Sequence, residues 1–289
     1  MSEWTIGILG GSGLYGMEAL EEAQWIGVDT PWGAPSDELL VGRLHGIKFV
    51  FLPRHGRGHR IPPSHVNARA NVDALKRAGC TDLVAISAVG SLREDLAPGR
   101  FVLVDQFIDR TFAREKSFFG PGLVAHVSMA DPVCPRLSAL LASAAETAGA
   151  DVARGGTYLA MEGPQFSSRA ESELYRSWGC DVIGMTAMPE AKLAREAELP
   201  YALAGMVTDY DCWRQGEEAV EVSAIIAQLT ANAGRAREMV EAFAKALPAE
   251  REASPIDTAL DSAIITAPES RDPALLAKLG SICGRILRS

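Results

Sequence analysis

Paired carboxylates stand at the end of one apolar run of this 289-residue sequence. Asp209 and Asp211 follow the run 201–207 and lie beside Tyr210 and Trp213. Two carboxylates at positions i and i+2 of an extended segment point to the same side. Near an apolar wall, their like charges raise at least one pKa above the reference of about 3.9, which leaves a proton donor at neutral pH. A helix N-cap is the structural alternative, but it accounts for one Asp and not for the pair.

A cluster of cationic residues at the end of another apolar run indicates an anion site. Residues 54–59 read Arg-His-Gly-Arg-Gly-His, in a chain whose formal charge is −9. The glycines allow a ligand to approach the backbone closely, and Arg54 can form charge-assisted hydrogen bonds to an oxyanion. Metal binding by His55 and His59 is disfavoured because the interleaved arginines repel a cation. A solvated basic loop is the alternative.

A glycine-rich turn at residues 11–16 follows the first apolar run and matches G-x-G-x-x-G. A dinucleotide-binding fold, and with it an NAD-linked oxidoreductase, is disfavoured because the required helix and acidic strand end do not follow. A turn whose backbone N–H groups and Ser12 hydroxyl hold one phosphate needs less context. A tight turn leaving the sheet is the structural alternative.

Three further segments, 87–92, 161–171 and 184–186, end apolar runs in small or polar residues. Ligands of α/β proteins bind at the carboxyl ends of strands, so these segments are candidate site walls. The structural alternative for Glu162 is a buried ion pair with Arg169.

The apolar runs and helix signals predict an α/β fold with a largely parallel sheet. Strands are predicted at 5–9, 48–52, 82–88, 101–104, 157–161, 181–185 and 201–207, and helices at 62–79, 190–197 and 220–247. Proline marks the start of the first two helices. We expect one domain over residues 4–247 and an appendage over 250–289 with a short helix at 273–287.

Composition argues against several classes of protein. A net charge of −9 and a pI near 5.2 disfavour general nucleic-acid or membrane binding. Five scattered cysteines without C-x-x-C predict neither a disulfide framework nor a zinc ribbon. No stretch approaches the roughly 18 apolar residues that span a bilayer, and no leader signal opens the sequence. We therefore expect a cytoplasmic protein.

Eight ordered motifs resemble the methylthioadenosine phosphorylases of the trimeric purine nucleoside phosphorylase superfamily. They are GGSGLY (10–15), RHGRGH (54–59), the segment 67–71, SAVGSL (87–92), FIDRT (107–111), MEGPQFSSRAES (161–172), MTAMPEA (185–191) and TDYDCW (208–213). The resemblance implies the single-domain nucleoside phosphorylase fold, with a central mixed, largely parallel sheet flanked by helices. It also implies phosphorolysis of methylthioadenosine to adenine and 5-methylthioribose 1-phosphate, with inorganic phosphate as co-substrate and no metal or organic cofactor.

The resemblance also assigns residues. Asp209 would protonate or hydrogen-bond N7 of the departing base and is the catalytic candidate, and Asp211 would accept from the 6-amino group. The phosphate-binding candidates are Ser12, Arg54, His55, Ser87, Ala88 and Thr186. The other substrate-binding candidates are Met185 at the ribose, Phe166, Ile183 and Tyr210 at the base, and His126, lent by a neighbouring subunit, at the 5′ end. The specificity candidates are Ser167, Val222, Ile225 and Ile226.

Asp209 favours a 6-aminopurine, because a 6-oxopurine enzyme would favour Asn, whose amide can donate to O6 and accept from N7–H. The apolar Val222, Ile225 and Ile226 suit a methylthio group better than a hydroxyl. A phosphorylase for methylthioinosine or other purine nucleosides is the alternative, and an inactive nucleoside-binding protein is a second one. The resemblance and His126 imply a homotrimer.

Overall fold

The computed structural model describes residues 3–11, 13–214 and 222–287, and of residues 222–226 it describes the backbone alone. Within these ranges, eleven strands form one mixed sheet. The strands are β1 (Thr5–Gly10), β2 (Glu21–Ile26), β3 (Leu39–Leu44), β4 (Ile47–Pro53), β5 (Asp82–Ser91), β6 (Phe101–Leu103), β7 (Gln106–Asp109), β8 (Val152–Arg154), β9 (Thr157–Ala160), β10 (Val182–Gly184) and β11 (Tyr201–Asp209). The α-helices are α1 (Ala68–Arg77), α2 (Pro135–Thr147), α3 (Arg169–Ser177), α4 (Ala187–Glu196), α5 (Val222–Ala246), α6 (Pro273–Lys278) and α7 (Gly280–Leu287).

The sheet is largely parallel, as predicted, with antiparallel pairs at defined places. Its main path runs β2-β3-β4-β1-β5-β10-β9-β7, while β11 pairs with β5 and β6, and β6 pairs with β8. β1 is parallel to both β4 and β5, and β11 is parallel to β5. β10 instead runs antiparallel to β5. The mixed α/β sheet flanked by helices is therefore confirmed.

The central strands are buried on both faces, which explains their nearly continuous apolar runs. Alternate residues of one strand enter different cores: Leu9 of β1 packs into one and Ile8 into the other. Residues of α1 and α4 cover the first face, and residues of α2 and α5 cover the second.

The structure shifts one predicted helix and adds elements. The helix predicted from residue 62 begins at Ala68, because the prolines open a separate 3-10 turn (Pro63–His65) and Asn67 caps α1. Strands β2, β3, β7 and β8 and helices α2 and α3 were not predicted. The first of these, β2, is an exposed strand with two glutamates, so it carries no apolar run.

Residues 250–287 pack onto the same body. Arg251 forms an ion pair with buried Asp82 at 2.5 Å, and Arg285 forms one with Glu198 at 2.5 Å. Leu279 is fully buried in the core of the first sheet face. The helix predicted at 273–287 is two short helices, α6 and α7. Nowhere in the described ranges does the chain form a helix with the length and apolar character needed to cross a membrane.

Candidate active site

Neighbouring strands bring the predicted phosphate residues to one region of the sheet. Arg54 and His55 follow β4 directly, and Ser87 and Ala88 lie within β5. β1, which leads to the glycine-rich turn, lies between β4 and β5. Ser12 lies outside the described residues. The sheet order therefore places segments that are far apart in sequence side by side.

The antiparallel direction of β10 brings Thr186 to Ser87. Ile183 of β10 pairs with Gly90 of β5, so the chain after β10 runs back along β5. The Ser87 and Thr186 hydroxyl oxygens are 2.9 Å apart. Arg54, His55, Met185 and Thr186 line one cavity. The Thr186 hydroxyl, an imidazole and a guanidinium thus line the cavity, with the Ser87 hydroxyl next to that of Thr186, and these are groups that can bind an oxyanion.

Arg54 is a buried cation with a buried carboxylate partner. Its Nε and one Nη donate to Glu190 at 2.8 and 3.1 Å. Two further guanidinium N–H groups donate to the carbonyls of Leu9 and Ile86. A guanidinium has five N–H donors, so one N–H of Nη1 has no acceptor among the described residues. That hydrogen is the donor Arg54 retains for a ligand.

His55 is held neutral. Burial and the adjacent Arg54 charge lower its pKa to about 4. Nδ1 lies 2.9 Å from the Ile61 carbonyl, which can only accept, so Nδ1 carries the proton. In this tautomer Nε2 is an acceptor. The His59 ring stacks on His55 with centroids 4.4 Å apart.

The paired carboxylates lie next to Gly90 and Ile183. A Cβ added at Gly90 would lie 3.0 Å from Asp209 Oδ1, 3.1 Å from Ile183 Cγ2 and 3.5 Å from Asp211 Cβ. Asp209 is the last residue of β11 and pairs with Gly90 across the sheet. The predicted Asp209, Asp211 and Ile183 are thus brought together, and glycine at position 90 leaves space beside the carboxylates.

Both carboxyl groups have raised pKa values, chiefly because burial penalises their charged forms. The pKa of Asp209 is raised despite hydrogen bonds from the Thr208 hydroxyl at 2.7 Å and the Asp211 N–H at 2.8 Å. Burial also raises the pKa of Asp211, and the Asp209 charge adds to it. Desolvation is thus the main cause, rather than the like-charge repulsion predicted from the spacing.

Asp211 has an unused acceptor. Its Oδ2 is buried and has no hydrogen-bond partner among the described residues. Its backbone is left-handed, with φ of 53°, a conformation that Asp tolerates better than most residues. The hydroxyls of Ser172 and Ser167 lower the pKa of Asp211, so they lie near its carboxyl, and a ligand N–H would be a further donor to it.

Four other candidates lie farther from this cluster or are less enclosed. Ser167 is buried, and its carbonyl accepts from the Cys212 thiol at 3.2 Å, beside Asp211. Phe166 is 49% exposed. Tyr210 packs edge-on against Trp213 rather than facing the cavity at Arg54. His126 is exposed, and its backbone N–H donates to the Ala263 carbonyl at 2.9 Å.

Helix α5 contacts the glycine-rich turn. Arg237 donates to the Gly13 carbonyl at 2.6 Å, and a Cβ at Gly13 would lie 3.2 Å from Ala233. The specificity candidates Val222, Ile225 and Ile226 lie in the first turns of α5, and their side chains lie outside the described residues.

The residues that form hydrogen bonds and ion pairs with the site residues were not predicted from the sequence. Glu190, the partner of Arg54, also accepts from the Tyr201 hydroxyl at 2.9 Å. The partner of Glu162 is Arg114 at 3.0 Å, and not Arg169 as the spacing suggested. Arg114 stands 48 residues from Glu162. Local spacing in the sequence carries no signal for such pairs.

The comparisons with known proteins agree with this geometry. A family model described as the phosphorylase superfamily matches residues 5–245. S-methyl-5′-thioadenosine phosphorylase of Cereibacter sphaeroides is 61% identical, with 98% of each chain covered. The protein of the same name from Bradyrhizobium diazoefficiens is 58% identical and matches over the full length of both chains.

Solved structures of methylthioadenosine phosphorylases are also similar to this chain. A methylthioadenosine phosphorylase from an Antarctic soil metagenomic library superimposes with a TM-score of 0.92 at 44% identity, covering 98% of this chain and 99% of the other. A mutant adenosine/methylthioadenosine phosphorylase from Schistosoma mansoni, in complex with methylthioadenosine, gives a TM-score of 0.79 at 38% identity, covering 84% of this chain and 91% of the other. The chain belongs to the phosphorylase superfamily and, within it, to the S-methyl-5′-thioadenosine phosphorylases.

Proposed function

We propose that this chain cleaves S-methyl-5′-thioadenosine with inorganic phosphate, giving adenine and 5-methylthio-α-D-ribose 1-phosphate. The observation that carries the proposal is the pair of buried carboxyls with raised pKa values at the end of β11, which pairs with β5, the strand whose Ser87 contacts Thr186 of the cavity. The carboxyl pair suits a leaving base, and the residues of the cavity suit an attacking anion.

In the reaction, the C1′–N9 bond breaks and a bond from C1′ to a phosphate oxygen forms. The sugar passes through an oxocarbenium-like state, as in glycoside hydrolysis. Asp209, whose pKa is raised by burial, would transfer a proton to N7 as negative charge gathers on the purine. The proton that phosphate loses on forming the ester restores Asp209, so the reaction is balanced.

The phosphate would be held by Arg54, His55 and the hydroxyls of Ser87 and Thr186, with Ser12 and Ala88 completing its site. The one unused N–H of Arg54 supplies a charge-assisted donor. Nε2 of neutral His55 is an acceptor, so it suits the proton-bearing oxygen of phosphate. Fixing phosphate beneath C1′ contributes to the rate chiefly through position.

The base would lie against Asp209, Asp211 and Ile183, with Phe166, Ser167 and Tyr210 around it. The unpaired Oδ2 of Asp211 would accept from the 6-amino group. A 6-oxopurine offers no N–H donor at that atom. This supports 6-aminopurines as the substrate class.

At the ribose we place Met185, which lines the cavity with Thr186. At the 5′ end we place Val222, Ile225 and Ile226, with His126 of a neighbouring subunit. We infer a homotrimer, supported by exposed apolar side chains near His126: Ile265 is 64% exposed and hydrogen-bonds to Val124, which is 37% exposed. Exposed apolar clusters of this kind mark protein contacts.

We infer further that the enzyme works in the cytoplasm, in salvage of the purine base and the methylthio sugar, and that the reaction needs no metal or organic cofactor. We also propose residues 4–247 as the catalytic domain, with 250–289 as an appendage packed against it.

A substrate panel tests the proposal. Purified protein is given phosphate with methylthioadenosine, adenosine or methylthioinosine, and kcat/KM is measured by base release. We expect methylthioadenosine to exceed methylthioinosine by about 5- to 150-fold, since an unpaired buried polar group costs about 1–3 kcal/mol. Preference for methylthioinosine would overturn the roles of Asp209 and Asp211.

A further inference from the structure

We propose that Arg114 is a positioning residue that fixes residues 185–188, the segment carrying the proposed ribose and phosphate contacts. The inference rests on the proposed function, because Met185 and Thr186 have their roles only in that reaction. Arg114 would act through the backbone of this segment and not by touching the substrate.

All the donors of Arg114 are used within the protein. Its side chain is 6% exposed. Nη1 donates to the carbonyls of Met185 at 2.6 Å and Met188 at 2.8 Å. Nη2 donates to the carbonyls of Met161 at 3.4 Å and Glu162 at 2.6 Å, and Nε donates to the Glu162 carboxylate at 3.0 Å. Five N–H groups are the full complement of a guanidinium, so none remains for an anion.

Glu162 holds Arg114 in place as a fixed anion. Its carboxylate accepts from the Ser64 hydroxyl at 2.5 Å and from the N–H groups of Phe112 and Ala113 at 2.6 and 3.1 Å. Although burial alone would raise it, these hydrogen bonds and Arg114 lower the pKa of Glu162 to about 2. Glu162 is therefore a carboxylate at neutral pH.

The pair joins the segments that surround the cavity. Arg114 and the segment 185–188 line it together with Arg54 and His55. Met185 also packs on Gly163, where an added Cβ would lie 2.5 Å from the Met185 sulfur. A guanidinium that bonds the carbonyls at both ends of 185–188 leaves the segment little freedom, and the Thr186 hydroxyl lies within it.

A second buried arginine at the same cavity shows the difference in role. Arg54 also pairs with a glutamate, Glu190, but keeps one N–H for a ligand. Arg114 keeps none. The two arginines thus have different roles. Arg54 contacts the anion, and Arg114 fixes the position of the backbone that carries Thr186.

The test is Arg114→Lys, which keeps the positive charge beside Glu162. The three N–H donors of lysine cannot satisfy Glu162 and the Met185 and Met188 carbonyls in the geometry of a planar fork. We expect kcat/KM for phosphate to fall about 10- to 100-fold, the scale of misplacing a contact by about 1 Å. The matched control is Arg154→Lys, whose ion pair with Glu146 is about half exposed, and there we expect no change.

A double-mutant cycle separates positioning from a general loss of structure. In a Thr186→Val background, the hydroxyl that Arg114 places is gone, so Arg114→Lys should cost less than in the wild type, by at least about threefold. Equal losses in both backgrounds, or full activity of Arg114→Lys, would overturn the positioning role. If a wild-type chain releases no adenine with phosphate, the proposed function fails instead, and the two failures are distinguishable.

Discussion

Some buried charged groups at the site have all their hydrogen-bond partners within the protein, and others do not. We propose that the first kind supports the site and that the second kind acts on the substrate. Arg114 and Glu162 are buried and have a full set of partners. Asp209 and Asp211 have no cation partner among the described residues, and burial raises the pKa of each. An unpaired buried carboxyl is costly to the fold, so its presence points to a task in the reaction.

Asp209→Asn tests the proton donor. An amide keeps the shape and can donate a hydrogen bond, but it cannot transfer a proton to N7. We expect kcat for methylthioadenosine to fall by about 10²- to 10⁴-fold, the usual contribution of a general acid. Activity on methylthioinosine should fall less, because Asn can donate to O6 and accept from N7–H.

The control for this prediction is Asp151→Asn, a side chain 72% exposed, which should retain activity. The measurement is kcat/KM for both nucleosides at saturating phosphate. An unchanged ratio between the two substrates would show that Asp209 does not select the base.

Residue types and the raised carboxyl pKa were predictable from the sequence, but the main cause of the shift and the partners of the site residues were not. Asp209 and Asp211 stood out by spacing, yet burial, which sets their pKa values, depends on Gly90 and Ile183 from other strands. Likewise, Glu190 supports Arg54 from 136 residues away. Such pairs exist only once the sheet has formed.

At the scale of elements, helix α4 connects the site to a second buried carboxyl. Glu190 near its start holds Arg54, and Glu196 at its end accepts from the Ser117 hydroxyl and the Phe118 N–H, each at 2.7 Å. Burial outweighs these hydrogen bonds and raises the pKa of Glu196 to about 7. The group is therefore protonated in the folded protein over a range where the unfolded chain has lost the proton.

This difference predicts a pH-dependent stability. Between about pH 4.5 and pH 7 the folded state binds one more proton at Glu196, so the free energy of unfolding falls as pH rises through this window. The loss amounts to roughly 3 kcal/mol at full extent. Glu196→Gln should remove it, because the amide can accept from Phe118 N–H and donate to Ser117.

Urea unfolding at pH 5 and pH 8 measures the effect. The variant should gain stability relative to wild type at the higher pH, while the exposed control Glu250→Gln should follow wild type at both. Parallel pH profiles for wild type and Glu196→Gln would contradict the assignment.

The elements that sequence predicted are those buried on two faces. β1, β5 and β11 read as apolar runs because both sides meet a core. Exposed β2 gave no such signal, and the antiparallel direction of β10 gave none either. Direction matters here, since it is what carries Thr186 back to Ser87.

For the whole molecule, exposed apolar groups support the proposed association of subunits. Phe112 is 82% exposed, although its N–H is anchored by the buried Glu162. The segment around His126 is hydrogen-bonded to the C-terminal segment. The His126 N–H donates to the Ala263 carbonyl, and the Ile265 N–H donates to the Val124 carbonyl. Exposed apolar groups on a rigid backbone are typical of an interface, because little conformational entropy is lost when they bind a partner.

The proposed sharing of the site between subunits predicts complementation. Light scattering should give about three times the chain mass of 30.8 kDa. His126→Ala should raise KM for the nucleoside more than for phosphate. Subunits carrying His126→Ala, exchanged with subunits carrying Asp209→Asn, should regain activity at sites that combine an intact Asp209 with an intact His126. An active monomer, or no gain on mixing, would contradict the shared site.

Phosphate dependence is the most direct test of the central claim, that Asp209 and the anion cavity together perform phosphorolysis. Adenine release from methylthioadenosine is measured with and without phosphate, alongside the phosphorylated sugar. We expect release to require phosphate and one sugar 1-phosphate to form for each adenine. Equal release without phosphate, with free methylthioribose as the product, would mean that water is the nucleophile and would contradict the account.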